Sequence, residues 1–191
     1  MSAPHEHEAD EREALQGVTP SRTGWLVAIA LALLGGPMAT LVAWLGSMKS
    51  GGWSPWMLIV FGPALEEVLK SCLAVGVVDR RPRLFVDRDQ ILLAGAWSGV
   101  CFAAVEAMIY TNQSLEPAPV ELVWYRWTVC VVLHAACSLM AAIGLAESWE
   151  LARRGERGGP FAALPFLLAA IMLHGGYNAM CVLLSIRGYA M

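Results

Sequence analysis

Glu66, Glu67, Lys70, Glu106, Arg126, His134, His174 and Asn178 are the side chains in this sequence that can do chemistry, and apolar residues surround all of them. A glutamate in such a setting can act as a general base on water, and a histidine can orient that water or carry its proton. An asparagine amide and a histidine N–H can donate to a developing oxyanion. Glu66, His134 and His174 are also a possible zinc set with one position left open. The HExxH pattern that places two zinc ligands one turn apart is absent. A metal-free reading, with Glu66 as the preferred base, is therefore favoured from sequence, with no cofactor and with zinc as the alternative.

These residues are expensive where they stand. An ionised side chain at the centre of a membrane helix costs roughly 2.5–3.5 kcal/mol. Three glutamates and a lysine would together cost on the order of 10 kcal/mol if unpaired, as much as the whole stability of an ordinary domain. Mutual pairing must offset most of that. Glu66 and Lys70 are one turn apart and are expected to pair, with Lys70 balancing charge. Glu67 is turned about 100° from Glu66. His174 shares a helix face with Asn178, and His134 with Ser138. Arg126 lies near a helix end, where it is expected to snorkel. Pro63 has no N–H and is expected to kink its helix and free a carbonyl. Structural roles compete with catalytic ones: Glu66 and Lys70 as a register-fixing pair, the histidines as packing residues, and Glu106 as the neutraliser of Arg126.

The elements that carry these residues are membrane helices. The chain is 57% hydrophobic and only 15% charged, with positive mean hydropathy, so its apolar excess must face lipid. About 20 apolar residues span a bilayer, and five segments qualify: 24–48, 53–78, 91–110, 122–146 and 161–186. The expected fold is an all-α, polytopic bundle of about five spanning helices in the cell membrane. It comprises a transmembrane domain over 24–191 and a polar, acidic, disordered cytoplasmic head over 1–23. At about 1.5 Å per residue, Glu66 and Glu67 lie roughly 20 Å from the outer end of their helix. His134 and His174 lie roughly 18 Å along theirs, so three helices bring ionisable groups to one level. Glu106 is placed nearer the outer side.

Charge in the loops sets orientation. Arg12, Arg22, Arg80, Arg81, Arg83, Arg88, Arg153, Arg154 and Arg157 fall on one side, against Lys49 and Arg187 on the other. The N-terminus is expected inside and the C-terminus outside. Trp25, Trp53, Trp56, Trp124, Trp127 and Trp149 suit interfacial anchors, with one or two packing between helices. Gly95 and Gly99 form a GxxxG continued by Ala103, and Gly175 and Gly176 follow His174; all suit close helix packing. The five cysteines form no CxxC pair and are read as small hydrophobes. A net charge of −3, with most of its basic residues in the head and short loops, gives nucleic-acid binding no support. No internal repeat points to a transporter.

At these residues the chain resembles the PrsW family, within a wider group that includes CAAX prenyl proteases and bacteriocin-immunity-type membrane proteins. Four motifs carry the resemblance in order: Glu66-Glu67-x-x-Lys70, Phe102-x-x-x-Glu106, Arg126 followed by His134 with Gly144 beyond, and His174-x-x-x-Asn178. Ala107 stands where relatives often have asparagine. The resemblance implies an endopeptidase acting within or at the edge of the membrane. It makes Glu66, Glu67, His134, His174 and Asn178 the catalytic residues, with Lys70 and Glu106 supporting. It also implies a membrane-protein or peptide substrate, such as a single-pass anti-sigma factor, within the lipid bilayer.

Other classes remain. A serine protease built on Ser98 would leave the glutamates without a role. A bis-histidine cofactor protein would use His134 and His174 for a haem. A non-catalytic immunity or scaffold protein would keep the polar core for packing. The loop charges generate the first prediction. A topology reporter fused after Met191 should read as extracytoplasmic, and one inserted between Arg153 and Arg157 as cytoplasmic. Reversed signals from the two fusions would overturn the orientation.

Overall fold

The computed structural model describes residues 22–49, 54–112, 117–154, 156 and 159–187. Helix α1 spans Arg22–Lys49, α2 Gly62–Arg80 and α3 Arg88–Thr111. Helix α4 (Val120–Tyr125) runs through a π turn, Arg126–Cys130, into α5 (Val131–Arg153), and α6 spans Leu164–Ile186. A second π turn, Met57–Phe61, leads into α2. No strand occurs among the described residues. The acidic head lies almost wholly outside them.

The result is a polytopic helical bundle turned inside out relative to a water-soluble one. Leu26, Leu33, Met172 and Leu183 are exposed on its outer surface, while Glu67, Gln90, His134 and Ser148 are buried. Lipid makes that arrangement favourable, because ionisable groups cost least where they meet one another. Four rods are long and apolar enough to cross a membrane: Arg22–Val42, Arg88–Thr111, Val120–Arg153 and Phe161–Ile186. The remaining long helix, α2, carries Glu66, Glu67 and Lys70 and is therefore the least apolar. It packs against α1, α3, α5 and α6. Its polar face meets protein on all those sides.

Glycines set the closest helix approaches. A Cβ on Gly99 would lie 2.8 Å from the carbonyl carbon of His134, and one on Gly95 would lie 3.0 Å from the oxygen of Ser138. The expected GxxxG thus seats α3 on the stretch of α5 that bears His134. Gly36 holds α1 against the backbone of Ser98 and Phe102, where Thr40 Oγ1 bonds to the Gly36 and Phe102 oxygens at 3.1 and 3.3 Å. Gly175 faces the carbonyl of Ile59, whereas Gly176 has open space around it and takes no part in packing.

At the basic end, Asp87 caps α3 by accepting from the Asp89 N–H at 3.2 Å, and Gln90 Oε1 accepts from the Asp87 N–H at 3.4 Å. This completes a capping box. Trp149 is buried and donates to the Pro82 oxygen at 2.8 Å. It is one of the tryptophans that packs between elements, while Trp56 and Trp124 stay exposed. Gly99→Val should destabilise the bundle by about 1–3 kcal/mol, the usual cost of overpacking. Gly176→Ala should be neutral or stabilising, because alanine is the better helix former. Thermal unfolding in detergent checks both, and equal melting of the two variants would show that the α3–α5 approach tolerates a side chain.

Candidate active site

Lys70 Nζ donates to Glu67 Oε1 at 2.6 Å, with both side chains all but fully buried. The pairing expected between Glu66 and Lys70 is therefore replaced by one three residues apart. Helical geometry allows either spacing. Packing selects Glu67, because His174 Nδ1 comes to the same oxygen at 2.9 Å from α6. One carboxylate oxygen thus ties α2 to α6. The Lys70 ammonium reaches onward to His134 Nδ1 at 3.2 Å and lies 4.4 Å from the centre of the Phe102 ring. Since an ammonium only donates, His134 Nδ1 accepts, and its Nε2–H faces Glu106 Oε2 at 3.1 Å.

Glu66 is left on the open side. It has no such cation partner, and its Oε2 is buried without a hydrogen bond. That oxygen lies 3.8 Å from His174 Nε2. The rings of His134 and His174 meet edge to face with centroids 4.7 Å apart. Glu66, His134 and His174 each offer a donor atom, and the three atoms lie within 4.8 Å of one another. Rings this close leave no slot for a macrocycle between them, which removes the haem reading.

The set borders a cavity of about 740 Å³ that Glu106 and Asn178 also line. Glu106 was placed nearer the outer side from sequence, yet its carboxylate reaches the level of His134. Arg126 does not snorkel. It turns inward, 3.5 Å from Glu106 Oε2 and stacked 3.7 Å from the Tyr110 ring centre. An inward guanidinium is favoured because the cavity already holds a carboxylate for it. Asn178 Nδ2 donates to the Leu58 oxygen at 2.9 Å. Pro63 has no N–H to offer the carbonyls one turn earlier, so the π turn leaves Leu58 free to accept. The carbonyl expected from Pro63 is thus taken by a candidate site residue. Asn178 keeps its second N–H and its Oδ1 for the cavity.

Six of the residues singled out from sequence, Glu66, Glu106, Arg126, His134, His174 and Asn178, therefore converge on one cavity, while Glu67 and Lys70 lie behind it. Ser98 is apart from them, with its hydroxyl 3.5 Å from the Lys70 carbonyl. Sequence reasoning missed Tyr125 and Tyr177, whose hydroxyls meet across the cavity. A tyrosine in a lipid-embedded span must find a partner for its hydroxyl, and that was the available signal.

The profile of the PrsW family, described as intramembrane metalloproteases, matches residues 21–191. No curated protein and no solved structure matches the chain. Matched over nearly its whole length, the chain belongs to the PrsW family. It is a multi-pass membrane protein and an intramembrane protease, with its substrate in the bilayer.

The buried pair and the orphaned carboxylate differ in what they contribute to stability. Lys70→Met strands Glu67 and should cost roughly 3–5 kcal/mol. Glu66→Gln removes only the longer, 3.8 Å approach to His174 and should melt close to wild type. A Lys70→Met protein that melts like wild type would show that the pair does not hold the site together.

Proposed function

We propose that this PrsW-family protein is a metal-dependent intramembrane endopeptidase whose ion is held by Glu66, His134 and His174. The observation that carries this reading is the donor set itself. Three buried groups from three helices bring ligand atoms within 4.8 Å of one another. One of them, Glu66 Oε2, lacks any hydrogen-bond partner. A buried carboxylate oxygen left unsatisfied in lipid is costly unless a cation completes it. Two imidazoles, one carboxylate and an open position suit zinc. When bound, such an ion supplies Lewis-acid polarisation of the scissile carbonyl and of the attacking water.

The remaining roles belong to the protein's own side chains. Glu67 accepts from His174 Nδ1, which fixes the tautomer and turns Nε2 toward Glu66, as a carboxylate behind a metal-binding histidine does. Lys70 neutralises Glu67. Both are positioning residues. Glu106 is the other carboxylate lining the cavity, so it is the base that takes a proton from water and returns it to the leaving amine. Asn178, steadied by Leu58, offers its free N–H to the carbonyl oxygen as negative charge develops there. The substrate is a membrane-embedded polypeptide, of which a single-pass anti-sigma factor is one example. The N-terminus and basic loops face the cytoplasm.

A metal-free mechanism with Glu66 as base, the one favoured from sequence, is the second reading. One observation favours it: Lys70 and Glu106 engage both nitrogens of His134, so an ion bound there must displace one of them. Elemental analysis of purified protein separates the two. About one equivalent of zinc is expected in wild type, lost in His174→Ala and His134→Ala. Chelation should abolish cleavage, and stoichiometric zinc should restore it. Full activity in protein stripped of metal would overturn the metal reading and return Glu66 to the role of base. Glu66→Gln should then lose roughly 10²–10⁴-fold in rate.

A further inference from the structure

The walls of the cavity are unequal. On the basic side of the site, α5 and α6 press together, and a Cβ on Gly144 would lie 2.7 Å from the Phe166 side chain. On the other side they part. No Cα of Val120–Cys130 lies within 8 Å of one in α6. Yet Leu122, Tyr125 and Cys130 line the cavity from one wall, and Tyr177, Cys181 and Val182 line it from the other. What bridges the gap is side chain alone: Tyr125 touches the Tyr177 hydroxyl and lies 3.3 Å from Cys181 Sγ. Both flanking elements expose apolar side chains, with Val120 at 66% and Trp124 at 67% on one and Leu183 at 61% and Ile186 at 76% on the other.

The segment that forms one wall has its own hinge. It joins α5 through the π turn Arg126–Cys130, a local break in helical hydrogen bonding of the kind that collects at functional sites. Within it, Thr128 Oγ1 bonds back to the Trp124 oxygen at 2.6 Å, a bond that favours bending. Helix α4 itself buries no residue.

We infer that the seam between Val120–Cys130 and the Tyr177–Ile186 half of α6 is a lateral entrance, latched by Tyr125 and Tyr177, through which one membrane-spanning polypeptide segment reaches the site from the lipid. This rests on the proteolytic reading of the cavity and names the form its substrate takes. The occupant is membrane-spanning because both flanking elements face lipid. A bound segment lays apolar side chains on Leu122 and Val182, and the parted tyrosine hydroxyls become donors for its unwound backbone. A water-soluble peptide would enter from the bundle end and would not need the latch to open.

The test uses the full-length protein in lipid nanodiscs, in the Glu66→Gln background so that no turnover is required. The probe is a biotinylated synthetic single-span peptide of about 20 leucines and alanines with a central Gly-Ser pair. The photo-crosslinker p-benzoylphenylalanine replaces Leu122 or Val182 at the seam, or Met172, an exposed α6 residue, as the lipid-facing control. Capture of the peptide should be severalfold higher at 122 and 182 than at 172. Replacing both latch tyrosines by phenylalanine removes one hydrogen bond and should raise seam capture by roughly 2–10-fold. Joining Tyr125→Cys to Cys181 with a short bismaleimide, with the other four cysteines changed to alanine, should abolish seam capture and leave position 172 unchanged. Seam yields no higher than the control, or unaffected by both the tether and the phenylalanine pair, would overturn the entrance. Cleavage is scored separately with active protein. Seam capture without cleavage of any peptide would sink the protease reading alone, whereas a tethered protein that still cleaves the single-span peptide would sink the entrance alone.

Discussion

Two donors share a single oxygen at the centre of this bundle. Glu67 Oε1 receives the Lys70 ammonium at 2.6 Å and the His174 imidazole at 2.9 Å. In water such contacts would be worth little. In the middle of a membrane the alternative to pairing is a bare charge in hydrocarbon, so the same contacts decide which helix sits where. They lock α6 to α2 and bring Lys70 within reach of His134 on α5. His134 in turn meets Glu106 on α3. Four helices are thus joined by one chain of charged and polar contacts, and three of the catalytic candidates, Glu67, His134 and His174, lie along it.

That chain accounts for the division of labour between neighbouring glutamates. Because Glu67 is consumed in holding helices together, Glu66, turned about 100° around the helix, is released to face the cavity. Each carboxylate keeps one buried oxygen without a partner, but Glu67 is withdrawn behind its Lys70 and His174 contacts while Glu66 lines the cavity. Function and stability are separated by a single step along the backbone. The same separation recurs at Arg126, which secures Glu106 from the open side while Lys70 approaches His134 from the closed side.

Backbone irregularities surround the polar network. The π turn before α2 exposes a carbonyl that Asn178 takes up, and the π turn before α5 carries Arg126 into the cavity. Each occurs where a regular helix would have pointed a needed group elsewhere. Small residues work in the opposite sense: Gly95, Gly99 and Gly175 remove side chains so that backbones can bring His134 and His174 to their positions. The bundle is therefore tight on its basic side and loose where α4 and α6 diverge.

The sequence by itself determined much of this. Its long apolar stretches compel membrane helices, because lipid offers the backbone no hydrogen bonds. Its few ionisable residues within them had to converge, since each alone would be too costly, and their depths followed from the rise per residue. The order of the four motifs was enough to name the family. What the sequence left undecided were choices between partners of similar spacing. Whether Lys70 takes Glu66 or Glu67, whether Arg126 turns outward or inward, and whether Glu106 reaches His134 all depend on contacts between helices far apart in the chain. Tertiary packing decided them by placing His174 against Glu67 and a carboxylate beside Arg126. For the same reason the zinc-like donor set of Glu66, His134 and His174 was legible in the sequence only as an alternative. Its three members come from three helices, so no local spacing announces it, and only the folded bundle brings them within reach of one ion.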